Sequence, residues 1–494
     1  MSQEPSHNSL GRSAARGVLV TSSGQAARLL LQLLGVIILS RMLSPGDFGL
    51  LAMITAIVTV GQSIRDFGLS NASIQTKDLS SQQRTNLFWL NTLLGVATGV
   101  ILFACAPLIS SFYSSPELIP VTQAMALTFL LNGVMTQSRA HLARKLQFTS
   151  LMLTDVVPAA IGLGAAIGFA AAGAGAWALV AQQIAIAFFG LVLSVAFDRW
   201  IPGLPRRAPG MTYFLKYGAF LTLSQIVATL SRNADYVILG YRFGPTPTGF
   251  YNRAFELVIN PLNQVNAPSS KVAVPVLSRL QDQTDKFNEF LLAGQKAMLV
   301  VLLPVLSAVA AVASPLVLLV LGERWAPSIV LLQILIIAGI CRVASYASYW
   351  IALSRGATAV SLWVNLVSAP VLIACIALGS IWGVVGVAAG FAVGTALSWF
   401  IGLAWYGRAA QAPAWRMFTS ALVVIAANVL PTICAAGVVL LLASTHEIVQ
   451  IAGGIASYVI VWAAQTWAVP AFRRDLGTVV RMAKLVRSAR PRSS

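Results

Sequence analysis

Residues 17–50 read GVLVTSSGQAARLLLQLLGVIILSRMLSPGDFGL, and residues 218–251 read GAFLTLSQIVATLSRNADYVILGYRFGPTPTGFY. With an offset of 201, Gly17 falls on Gly218, Thr21 on Thr222, Ser23 on Ser224, Leu29 on Leu230, Val36 on Val237, Ile37 on Ile238 and Arg41 on Arg242. A slip of one residue in the turn then sets Gly49 on Gly249. An apolar run, the arginine that ends it and a Gly/Pro turn recur in the same order, which reads as a duplicated helix opening each of two halves.

The chain has 494 residues, 57% of them hydrophobic and 10% charged, with a mean hydropathy of +0.79. That is too little polar surface to cover a water-soluble body of this size. The fold class expected is an all-α polytopic membrane protein. A hydrocarbon core about 30 Å thick takes roughly 20 apolar residues as helix. Fourteen such windows fit, near 18–41, 47–68, 86–108, 116–138, 150–172, 175–197, 211–241, 248–278, 290–313, 326–353, 358–379, 381–406, 415–442 and 448–470.

Lys and Arg set the expected orientation, because short cytoplasmic loops retain them. With the N-terminus inside, most of the 33 Lys and Arg fall in inner segments, and only Arg41, Arg242 and Arg324 fall in outer ones. Both ends are therefore expected in the cytoplasm, with the N-terminus retained. The net charge of +18 reflects this topology and not a nucleic-acid face, which requires a folded basic domain.

Six spans separate the two copies, so the halves share one orientation and are related by an axis along the membrane normal. The division expected is 1–205 for spans one to six, 206–410 for seven to twelve, 411–470 for two added spans and 471–494 for a basic tail. The tail reads equally as an amphipathic helix on an anionic leaflet or as a disordered segment. Cys105, Cys341, Cys375 and Cys434 lie in apolar runs without paired spacing, as small buried hydrophobes do.

Ionisable side chains inside spans cost roughly 2.5–3.5 kcal/mol each on insertion scales, so they face protein or water. Seven stand out: Arg28, Arg232, Asp235, Arg253, Glu256, Lys296 and Arg342. Helical spacing groups Gln25, Arg28 and Gln32; Gln225, Thr229, Arg232 and Tyr236; Arg253, Glu256, Asn260 and Gln264; and Arg342, Tyr346 and Tyr349. Four polar stripes from both halves suggest one hydrated space shared between them, where duplicated transporters hold their substrates.

Five cations against two carboxylates favour an anionic ligand, and guanidinium forks suit phosphate oxygens. Two readings stay open for the i,i+3 pairs Arg232/Asp235 and Arg253/Glu256: structural neutralisation, or ion coupling through Asp235 and Glu256. Tyr236, Tyr346, Tyr349 and Trp350 read more readily as packing than as platforms for sugar rings. No nucleophile, metal-ligand or phosphate-loop spacing is visible. His7, His141 and His446 fall at terminal or loop positions, and the outer loops expected at 111–117 and 314–326 are short. An enzyme is not expected, and neither is a metal or organic cofactor.

Four motifs carry a resemblance to a known family: RMLSPGDFG at 41–49, RDFGL at 65–69, PVLSRLQ at 275–281 and GERW at 322–325. In that order and spacing the chain resembles the polysaccharide exporter branch of the multidrug/oligosaccharidyl-lipid/polysaccharide flippase superfamily, the Wzx-type and colanic-acid-exporter-like proteins. The resemblance implies alternating-access transfer of undecaprenyl-diphosphate-linked oligosaccharide across a bacterial inner membrane. It implies membrane lipids and the polysaccharide polymerase machinery as partners, and no nucleic acid. H+ or Na+ enters as the expected coupling ion, with no ligand motif to carry over. Cavity arginines of that family hold the diphosphate; Arg28 is nearest by position, then Arg253 and Arg342, with Lys296 and Arg232 completing the cationic set. The alternative is a multidrug antiporter of the same fold, in which Asp235 and Glu256 outweigh the arginines.

Overall fold

Backbone amides in hydrocarbon find no water, so a spanning chain satisfies them within helices. The computed structural model follows that rule. It describes residues 7–66, 79–206, 231–409 and 412–469, with Leu69, Ser73, Met211, Thr222, Gln225, Ile226, Thr229 and Phe472. The tail from Arg473 and about half of the seventh span expected at 211–241, chiefly 212–221, lie outside these residues.

The first helices are α1 (His7–Met42), α2 (Pro45–Asp66), α3 (Ser81–Tyr113), α4 (Leu118–Arg144), α5 (Phe148–Ala171) and α6 (Ala176–Asp198). Then come α7 (Ala234–Phe243), α8 (Pro245–Arg279), α9 (Thr284–Ala311), a short α10 (Ala313–Val320), α11 (Ser328–Ser354), α12 (Thr358–Gly379), α13 (Gly383–Ala409), α14 (Ala414–Leu441) and α15 (Glu447–Ala468). Apart from α7, α8 and α10, each helix contains or shares a stretch long and apolar enough to cross a membrane. The chain is an all-α multi-pass membrane protein.

Two differences from the sequence expectation have plain causes. Helix α3 begins at Ser81 and not near 86, because Ser80 caps it with a reciprocal bond to Gln83, so its first turn is polar and escapes an apolar window. The loop expected at 314–326 is largely α10 and a 3-10 turn, Glu323–Trp325. Eight apolar residues are too few to register as a span. Gly322 enters that turn at φ +100, which sends Trp325 fully into the core against Phe250.

Two compact units divide the chain, 1–249 and 250–494, with the break one turn into α8. In the first, Met53, Ile54, Val58, Tyr113, Leu118, Phe129 and Val180 form an apolar cluster, uniting α2, α3, α4 and α6. In the second, α12 lies along α13, α13 along α11, α9 against α11 and α14, and α14 along α15. Leu440, Leu441 and Trp467 on the last two helices stay exposed, as lipid-facing residues do.

The duplicated turns meet inside the first unit. Ser44 caps α2: its N–H and hydroxyl both donate to Asp47 Oδ2, at 2.8 and 2.6 Å, and Pro45 stands at the first helical position. Pro245 opens α8 in the same way. The two helix starts then cross so closely that a methyl at Gly49 would overlap the Pro245 carbonyl, and one at Gly249 would overlap the Pro45 carbonyl. The contact is reciprocal: each copy's glycine receives the other copy's proline carbonyl. Small residues at such crossings let membrane helices gain contact that apolar burial alone does not supply.

Gly49→Ala and Gly249→Ala are each expected to lower stability by about 1–3 kcal/mol through backbone overlap. Gly164→Ala, which meets nothing within 4 Å in α5, serves as the neutral control. Thermal unfolding of the purified protein in detergent measures the difference.

Candidate functional site

The first unit contains an open cavity of about 580 Å³. Its wall takes Thr21, Gln25 and Arg28 from α1, Arg65 and Asp66 from the end of α2, Thr136 and Arg139 from α4, and Met152 and Asp155 from α5. Gly24 brings α1 against Met152, which sets the stripe of Gln25 and Arg28 toward this space. Gln32, one turn further along, is exposed and does not line it.

The three arginines of the wall are held differently. Arg28 is exposed to the cavity and, among the described residues, makes no hydrogen bond or ion pair. Arg65 donates from Nη1 to Thr136 Oγ1 at 2.9 Å, a neutral acceptor, and its buried Nε has no partner among the described residues. Arg139 donates to Asp155 Oδ1 at 2.7 Å and to Thr154 Oγ1 at 3.4 Å. With Asp66 and Asp155 counted, the wall carries three cations and two carboxylates.

Arg65, Arg139 and Asp155 are absent from the set expected on sequence. The two arginines stand near the C-terminal ends of α2 and α4, where in sequence they read as topology signals. The available clue was spacing: Asn132, Thr136 and Arg139 recur along one face of α4. Asp155 lies inside the fifth span with a cation sixteen residues earlier, a separation no helical periodicity reveals.

A second charged group in this unit is sealed. Asp198, with 1% of its side chain exposed, accepts from Arg84 through one oxygen and from His141 Nδ1 at 2.5 Å through the other. Arg84 Nη1 lies 3.4 Å from His141 Nε2 and its guanidinium stacks 3.8 Å over Trp200. Donation to Asp198 through Nδ1 leaves Nε2 free to accept from Arg84, the neutral tautomer. His141 is thus not in a loop, as its position after the fourth window suggested. Helix α4 runs on to Arg144 and carries it into a clamp with α3 and the end of α6. Every acceptor of Asp198 is satisfied, and the group reads as structural.

The seventh-span residues lie in the same unit. Thr229 Oγ1 lies 3.4 Å from Ser63 Oγ of α2, Asp235 and Tyr236 are buried, and Arg232 is exposed. Asp235 Oδ1 accepts from the Tyr236 backbone N–H at 2.9 Å.

In the second unit, Arg253 is buried and pairs with Glu256 at 3.0 Å, the i,i+3 neutralisation anticipated from spacing. Lys296, Arg342 and Asn260 are half-buried, on α9, α11 and α8. Two of the aromatic residues are packing elements. Tyr346 donates to the Leu262 carbonyl at 2.9 Å, and Trp350 donates to Ser270 Oγ at 3.1 Å. Both rings are buried, and neither offers a face to a sugar; Tyr349 remains exposed.

The family described as polysaccharide biosynthesis protein matches residues 38–330. The lipopolysaccharide biosynthesis protein WzxC of Escherichia coli (strain K12) is 26% identical over 378 residues, 75% of this chain and 77% of that protein. Among solved structures, the lipid II flippase MurJ in an inward closed conformation aligns with a TM-score of 0.68 at 13% identity, covering 91% of this chain and 99% of that one. An inward-facing multidrug resistance MATE family transporter of the MOP superfamily aligns at 0.58 and 15% identity, covering 80% and 95%. At these identities the two structures share a fold with this chain, and the fold is common to both kinds of transporter.

Removing one partner of a buried ion pair strands the other. Asp198→Asn is therefore expected to cost about 3–5 kcal/mol, with Arg84 left uncompensated. Thermal unfolding in detergent checks this, and Asp155→Asn in the open cavity is expected to cost far less.

Proposed function

We propose, because the chain belongs to the polysaccharide biosynthesis protein family, that it is a flippase for polyprenyl-diphosphate-linked oligosaccharide units used in surface polysaccharide synthesis. The observation that carries this reading is the cavity wall of the first unit, where Arg28 has no hydrogen-bond or ion-pair partner among the described residues and Arg65 donates to a neutral threonine with Asp66 beside it. A guanidinium kept in a membrane protein without a counter-ion is matched to an anion that arrives from outside. Phosphate oxygens suit its planar fork, and a diphosphate presents enough of them to engage more than one arginine.

On this reading the diphosphate enters the cavity from the inner leaflet, Arg28 and Arg65 take its oxygens, and the prenyl chain stays in lipid. Access then alternates to the other face. An inside-negative potential favours outward movement of negative charge by about 2.3 kcal/mol per charge per 100 mV, less whatever the arginines cancel. Arg253, Arg342, Lys296 and Arg232 complete the cationic set of the proposal, and Asp235 and Glu256 are its candidates for H+ or Na+ coupling. The setting proposed is a bacterial inner membrane with both termini in the cytoplasm, which the distribution of Lys and Arg supports. The polymerase that consumes the flipped unit is the proposed neighbour.

The MATE likeness favours a second reading, export of organic cations. A wall with three guanidinium groups and two carboxylates keeps a net positive balance, which weighs against it.

Deletion of the gene is expected to strand undecaprenyl-diphosphate-linked oligosaccharide on the inner leaflet. Arg28→Ala is expected to fail to complement, with binding weakened roughly 10- to 100-fold by loss of a charge-assisted contact, and Arg28→Lys to complement in part. Full complementation by Arg28→Ala would remove the site.

A further inference from the structure

Two guanidinium–carboxylate pairs in the first unit differ in accessibility. Asp198 is sealed between Arg84 and His141. Asp155 meets Arg139 in the wall of the cavity, with 31% of the arginine side chain and 36% of the aspartate exposed. A pair in contact with water holds weakly and exchanges partners readily.

The local architecture makes this exchange simple. Arg139 stands on the last turns of α4, Thr154 and Asp155 on the second turn of α5, and only Lys145–Gln147 lie between the two helices. Rotation of either side chain parts the pair without moving a helix. Thr154 Oγ1 still accepts from Arg139 on one side, and Arg28 and Arg65 present their own donors to the same space.

We infer that Asp155 is a built-in competitor for the anion: a counter-ion that holds Arg139 while the cavity is empty, yields it to a phosphate group, and then limits how tightly that group is bound. The inference rests on the diphosphate reading given above and adds a specificity-determining residue to it. A diphosphate carries more charge than one carboxylate and accepts from both arms of a guanidinium, so it wins Arg139. The displaced Asp155 carboxylate then stands beside the phosphate, and like-charge repulsion speeds release. A carrier gains from such a residue, because uniform tightening of a bound substrate slows its departure.

The test uses the purified full-length protein in detergent, with inorganic diphosphate as the probe and isothermal titration calorimetry as the readout. Asp155→Asn keeps the shape and an acceptor while removing the charge, and is expected to bind roughly fivefold more tightly than wild type. Asp155→Glu is expected to restore wild-type affinity, and Arg139→Ala to weaken it. In a transport assay Asp155→Asn is expected to show a lower half-saturating concentration together with a lower maximal rate, a split that a loosened fold would not give. Asp155→Ser replaces the Asn variant if that protein does not fold.

Unchanged or weaker binding by Asp155→Asn, while the wild type binds in an Arg28-dependent manner, overturns this inference and leaves the diphosphate site standing. Wild-type protein that does not bind diphosphate, or binds it independently of Arg28, overturns both.

Discussion

A guanidinium within a membrane-spanning bundle has to be compensated by a carboxylate, by a neutral acceptor, or by water and whatever solute that water admits. The arrangement of this protein follows from how each arginine meets that demand. Arg84 and Arg253 are buried and paired, and they join helices or neutralise a turn. Arg139 is paired in the open, Arg65 has a threonine, and Arg28 is unpaired among the described residues and faces the cavity of about 580 Å³. That gradation, from sealed to unpaired, separates the structural charges from those available to a ligand. It also runs against the raw inventory, since burial and partner decide the matter and position within a span does not.

The scaffold that sets this gradation depends on close helix approach. The reciprocal crossing of Gly49 with Pro245 and Gly249 with Pro45 joins the two duplicated helix starts. It explains why the RMLSPGDFG and GERW motifs look as they do: Ser44 and Asp47 form a cap, Gly49 yields space to a carbonyl, Gly322 adopts a left-handed turn and Trp325 fills the core behind it. These motifs, which carried the family resemblance, are folding signals. The charges proposed to meet the ligand lie elsewhere, on α1, the end of α2, α4 and α5.

The fold was largely legible because apolar length is a local quantity, and most twenty-residue windows fell within a few residues of the spanning helices. What the windows missed was polar or short: the capped first turn of α3, the last turn of α4 with His141, and the eight residues of α10. The candidate cavity was legible in part. Arg28 stood out as a charge in an apolar run. Arg139, Asp155 and the Arg84–Asp198–His141 clamp did not, because each depends on residues 16 to 114 apart in sequence that only tertiary packing brings together. Tyr346 and Trp350 show the converse, where aromatic residues suited to a sugar by composition are committed to Leu262 and Ser270.

Reconstitution measures the central claim most directly. Proteoliposomes holding the full chain and a short-chain polyprenyl-diphosphate disaccharide with a fluorophore on the sugar report leaflet exchange by protection from a membrane-impermeant quencher. The account predicts protein-dependent exchange that is lost with Arg28→Ala and inhibited by inorganic diphosphate. Absence of exchange, in vesicles where the same protein moves a cationic dye, would contradict it.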